Sequence, residues 1–186
     1  MINFRLRQSG LTIIEALIMV IIVLGLAAVI MPHFLDVEGK VQQLKVKHNM
    51  RIVQMAADAY AINNMGKYPL KGDDPGFKSF FPGGNTNSQS PVGGNYPENP
   101  YTHIEEAPLE GNIIDVKQTR FSPPLDLGGP RVAGKIFYNA IISSDGGNPI
   151  GYAIVGAGND GKAIPGPSPH MTGVLSNLRS TNSQIP

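Results

Sequence analysis

Leu11-Thr-Ile-Ile-Glu15-Ala-Leu-Ile-Met-Val20-Ile-Ile-Val-Leu-Gly25-Leu-Ala-Ala-Val-Ile30-Met-Pro32 is the stretch that decides the fold. Glu15 is the only charge in an apolar run that extends from Leu11 to Phe34. At about 1.5 Å of rise per residue, a helix from Leu11 to Pro32 reaches about 30 Å, the thickness of a hydrocarbon core. A carboxylate inside such a segment costs about 2.5–3.5 kcal/mol on insertion scales. An anchor built only to stay in place has no use for it. The expected reason to keep it is a partner charge met later, in another environment. The bland alternative is a plain single-pass anchor whose Glu15 faces an unrelated membrane partner.

Residues 1–10 are basic through Arg5 and Arg7 and contain no acid. Basic residues ahead of an apolar helix hold the N-terminus in the cytoplasm, so everything past Pro32 is expected outside the inner leaflet. A secretory signal places its cleavage site after the apolar region. Here the small residue, Gly10, lies before it. Cleavage after Gly10 would keep the apolar helix on the mature chain and give Leu11 a free amine. That amine lies too near the Glu15 of its own chain for good geometry, and is better placed for a neighbour's carboxylate.

Gly10 followed by Leu11-Thr12-Ile13-Ile14-Glu15 and then an apolar helix resembles the N-terminus of type IV pilins and type II secretion pseudopilins. Pro32 stands where many members of that family carry proline, and Leu11 stands where phenylalanine is usual. The resemblance implies cleavage between Gly10 and Leu11 by a membrane-embedded prepilin peptidase, which also methylates the Leu11 amine. It implies assembly roles for Thr12, Glu15 and Pro32. The implied partners are other copies of the chain, the peptidase/methyltransferase, and an inner-membrane assembly platform with its ATPase. The precursor is expected as a single-pass inner-membrane protein, the product as a cell-surface or periplasmic filament.

Gly25 and Pro32 both weaken a helix. A simple kink and local melting in a fibre are both open there. Beyond Pro32, Val37, Val41, Leu44, Ile52, Met55, Ala56, Ala59 and Ile62 recur near helical spacing, with Lys40, Lys45, Lys47, Arg51 and Asp58 on other faces. One helix is expected to continue to about Asn64, with Gly66 as its stop signal and a sheet covering its apolar stripe. Asn64-Met-Gly-Lys-Tyr-Pro69 looks like the major-pseudopilin branch of the family; the physical role would be a helix cap, an aromatic packed back on the helix and a rigid exit.

Residues 72–100 read as loop, rich in Gly, Pro, Asn and Ser. Strands are expected at Asn112–Thr119, within Val132–Ser143, and at Gly151–Gly156, with Lys135–Ile142 and Gly151–Val155 forming an antiparallel hairpin around the turn Ser144–Pro149. A short helix is expected near Thr172–Leu178 in a proline-rich tail. Gly158-Asn159-Asp160-Gly161 resembles the loop that helps hold calcium in major pseudopilins, which makes Asp160 the implied ligand. The same residues also read as an ordinary turn, and few acids follow.

The expected fold class is therefore α+β, a pilin fold. It divides into a leader (1–10), a transmembrane or fibre-core helix (11–34), an amphipathic helix (35–66) and a β-rich head (67–186). The head's sheet is expected to be small and antiparallel, with long loops. With 186 residues and a formal charge of +1, the chain offers no strong field for nucleic acid or acidic substrates. Zero cysteine excludes a thiol nucleophile and the disulfide that closes the C-terminal loop in many pilins. His33, His48, His103 and His170 lack metal-ligand spacing. Calcium aside, no cofactor and no enzymatic activity are expected. The expected function is a structural fibre subunit. The alternatives are a minor tip subunit that binds DNA or a secreted substrate, and an anchored periplasmic protein that never assembles.

Overall fold

A computed structural model describes residues 11–87, 90–111, 114–115, 126–143, 147–166 and 174–177, with 32–36 and 114–115 described at the backbone only. The leader, Gly10 included, lies outside them, as do most of Asn112–Thr119, Ser144–Gly146 of the hairpin turn, and His170. The architecture is α+β. The chain divides into two units, Met1–Lys40 and Val41–Pro186.

Helix α1 covers Ile13–Asn63. Thr12 starts it, with its Oγ1 accepting the Glu15 N–H at 3.3 Å. This is the N-cap position, where a short hydroxyl satisfies a donor that has no carbonyl a turn earlier. The helix continues through Gly25 and Pro32. It ends with Gly66 N–H donating to Ala61 O at 2.8 Å and with Met65 at φ 55°. Methionine, rather than the expected Gly66, therefore holds the first left-handed position of a Schellman-type cap.

The second unit builds its core on α1, though not on the stripe expected from spacing. Val46, Met50, Val53, Ala56, Ala57 and Ala61 are buried. Of the expected stripe, Ala56 is buried and Ile52 packs partly against the core, while Val41, Leu44, Met55 and Ile62 are exposed. The reason is geometric: Val53 and Met55 stand about 200° apart on the helix, so one sheet cannot cover both. The covering surface is β3 (Ile136–Ile142) and β4 (Pro149–Gly156), through Ile136, Tyr138, Tyr152 and Ile154.

The β3–β4 hairpin is antiparallel, as expected, with Tyr138 opposite Ile154 and Ala140 opposite Tyr152. The sheet as a whole is mixed, which corrects the antiparallel expectation. β1 (Leu109–Glu110) and β2 (Ile114–Asp115) both run parallel to β3. On the other side, β5 (Val174–Ser176) pairs antiparallel with β4, where a short helix was expected. Asn177 holds this edge, its Oδ1 accepting the Tyr152 N–H at 2.9 Å. Ladder bonds to an open β4 edge outweigh the weak helical propensity of three residues.

The 72–100 segment, expected as loop, contains a helical turn, α2 (Pro75–Lys78), capped by Asp74 Oδ1 on Gly76 N–H at 2.7 Å. It carries Phe77 and Phe81 into the core. Tyr68, expected against the helix, meets Tyr152 of the sheet edge-on at 5.2 Å between ring centres.

Helix and sheet approach closely at Gly156. A Cβ there would stand 2.5 Å from Val46 Cγ1 and 2.9 Å from Met50 Sδ. Gly156→Ala is therefore expected to destabilise the second unit by about 1–3 kcal/mol through overpacking. Denaturant unfolding of the full chain in detergent, followed by tyrosine fluorescence, measures it; an unchanged midpoint would mean that the helix can shift away at no cost.

Candidate functional site

The site begins where α1 begins. Glu15 is the acid in the first turn of the helix. The Thr12–Glu15 spacing is that of a capping box, in which the acid can reach back to the cap N–H. Local helix chemistry thus gives Thr12 a role that the family resemblance did not supply, and Thr-x-x-Glu was the legible signal for it.

Around this turn the surface is apolar. Ile13–Met31 is long and apolar enough to cross a membrane, and none of it is buried within the chain. Leu11 is 65% exposed, Ile14 65% and Leu17 56%. Exposed apolar surface of this extent marks an interaction surface for lipid or protein. Pro32 lies inside α1, described at the backbone only, and Gly10 lies outside the described residues.

Within the second unit α1 is held by a polar latch as well as by its core. The Tyr152 hydroxyl donates to Asp58 Oδ1 at 3.0 Å. Burial and the Asp58 hydrogen bond push the Tyr152 hydroxyl pKa up. Tyr138, stacked on Tyr152 at 6.2 Å, is fully buried, and burial pushes its hydroxyl higher still. Among the described residues its hydroxyl has no hydrogen-bond partner. Both tyrosines stay neutral at any physiological pH and act as packing groups. Nothing in the sequence signalled the pairing of Asp58 with Tyr152.

Asp160 sits on a tight turn. Its Oδ1 accepts the Lys162 N–H at 3.0 Å and its Oδ2 lies 3.7 Å from Lys162 Nζ. Gly158 N–H donates to Lys162 O at 2.7 Å, and Gly161, at φ 71°, packs on Gly129 O so closely that no Cβ fits. The facing Asp126 caps the next turn, its Oδ1 accepting Gly128 and Gly129 N–H, both at 2.9 Å. Those two backbone bonds hold its carboxyl below the usual range. Calcium takes six to eight oxygens. Among the described residues no group of three or more His, Asp or Glu could hold a metal. In the structure the Asp160 carboxylate bonds within its own turn, through the Lys162 N–H.

The histidines are dispersed. His48 is exposed on α1, and His103 Nδ1 lies 2.7 Å from Glu98 Oε1 at the surface. The structure brings together Thr12 and Glu15, and leaves Asp160 in a separate turn of the second unit. No family model matches this chain, and no curated protein or solved structure matches it either.

Proposed function

We propose that the chain is a structural subunit of a helical fibre, of the type IV pilus or type II secretion pseudopilus kind. It would wait in the inner membrane as a precursor, be cleaved between Gly10 and Leu11, and be methylated on the Leu11 amine. It would then be extracted by an ATP-driven platform into a fibre of its own copies. One observation carries this reading: a single carboxylate, Glu15, in the first turn of α1, whose Ile13–Met31 stretch is otherwise apolar and wholly uncovered.

In a lipid-free core of packed helices, Glu15 would neutralise the terminal amine of an adjacent copy. An unpaired buried carboxylate is strongly unfavourable there, so the pair sets axial register more than it adds net stability. The outward Val41, Leu44, Met55 and Ile62 support the same reading, since they extend an apolar surface along α1 on the side its own sheet leaves open.

Mass spectrometry of the N-terminus, together with electron microscopy of surface filaments from the native cell, tests the proposal. The expected result is filaments of a chain that begins at methylated Leu11. A chain that begins at Met1 while already polymerised would overturn the pairing mechanism, and an intact, never-polymerised chain would overturn the fibre role.

A further inference from the structure

Charge is segregated along this nearly neutral chain. Between Gly39 and Gly72 stand six lysines or arginines and one acid, Asp58; between Asp73 and Asp115 stand seven acids and one lysine. Lys71 pairs with Glu110 at 3.3 Å, and two separate surface features of the second unit carry other members of each group. On α1, Leu44, His48, Arg51 and Met55 recur at spacings of four, three and four, which places them on one side. All four are exposed, with Lys47 one turn before Arg51.

The acidic feature is the 98–105 loop. Glu98 and Glu105 face each other across an antiparallel bridge, an arrangement in which like charges repel. His103 holds φ 57° in the same loop, and Ile104 is 59% exposed between His103 and Glu105. Together, the loop presents an apolar tip flanked by carboxylates, and the helix presents apolar residues around a cation.

A chain cannot join its own two features. The Asn49 side chain donates to Glu98 O at 2.6 Å, which fixes the loop beside the Asn49 face of α1. Lys47 and Arg51 are each two residues from Asn49, about 200° around the helix, and so project from the far side. Among the described residues neither forms an ion pair.

We infer that the outer face of α1 around Leu44, Lys47, Arg51 and Met55 docks the 98–105 loop of a second copy. Ile104 covers the apolar residues, and Glu98 and Glu105 face Arg51 and Lys47. The inference rests on the fibre reading for its setting and goes beyond it by naming the two surfaces. The contact joins two different surfaces, which is the kind of contact an open fibre needs.

Because the chain has no cysteine, crosslinking can be made intermolecular by construction. Two differently tagged full-length chains, one His48→Cys and one Thr102→Cys, are co-expressed in the native cell and oxidised. The expected product is the mixed disulfide, at least about fivefold over either homodimer. Adding Lys47→Glu and Arg51→Glu to the first chain should cut it about tenfold, because like charges then meet across the contact. Glu98→Lys with Glu105→Lys on the second chain should restore it. Filaments counted in the same cells separate the two ideas. Filaments without the mixed disulfide overturn the docking and leave the fibre reading standing. A mixed disulfide without filaments supports the docking and sinks the fibre reading. No mixed disulfide and no filaments overturns the docking as well.

Discussion

Glu15→Val is expected to leave the chain in the membrane and to abolish filaments. Removing the carboxylate relieves about 2.5–3.5 kcal/mol of insertion cost, so membrane fractionation should find at least as much protein as for the wild type. Assembly is where the loss falls. In a core of packed helices, one partner of a buried pair without the other costs about 3–5 kcal/mol, and a fibre repeats that cost at every subunit. Thr12 still caps the helix in this variant, since its hydroxyl accepts the backbone N–H of residue 15 whatever side chain stands there. Glu15→Gln separates the two roles that position 15 can have. Glutamine completes a capping box as well as glutamate does, but it offers no charge to a terminal amine. Filaments at wild-type yield from Glu15→Gln would assign Glu15 to helix capping and end the pairing argument. Loss of filaments with both variants, at normal membrane levels, is the expected outcome.

The oddity of Glu15 needs no tertiary context to be seen: a lone charge in an apolar run is costly wherever that run lies in lipid. The β3–β4 hairpin was legible for a similar reason, since both strands and the turn between them are local in sequence. Elements decided by long-range competition were not. β1 and β2 pair parallel with β3 from well earlier in the chain, and Val174–Ser176 becomes a strand by pairing with the β4 edge. The helix stripe failed for a subtler reason. α1 is apolar on two opposite sides beyond Lys40, with Val46, Met50, Val53 and Ala57 on one and Val41, Leu44, Met55 and Ile62 on the other. Periodicity finds both and cannot rank them. The choice falls to Gly156 and the flat Tyr138–Tyr152 stack, which accept the closely spaced Val46 side and leave the other free. At Asp160 both readings of the motif began from the same residues, and the structure shows its carboxylate bonded within a turn.

Phe77→Ala is expected to unfold most of the second unit, although Phe77 lies in a segment that reads as loop from composition. Phe77 is fully buried, and its ring meets Phe81 at 4.9 Å, Tyr138 at 5.7 Å and Tyr60 at 6.0 Å between centres. It therefore joins the loop, the sheet and α1 in one cluster. Truncating a buried phenylalanine costs about 3–5 kcal/mol, a large share of the 5–15 kcal/mol that stabilises an ordinary domain. The cavity cannot close easily, because α2 is pinned by Asp74 at its start and the chain returns to it through Gly94 N–H on Lys78 O at 2.9 Å. Leu70, equally apolar but 43% exposed just ahead of the same segment, provides the control. Leu70→Ala should shift the denaturant midpoint by less than a third as much as Phe77→Ala. Equal shifts for the two variants would mean that the 72–100 segment lies on the surface and that α1 and the sheet hold together without it.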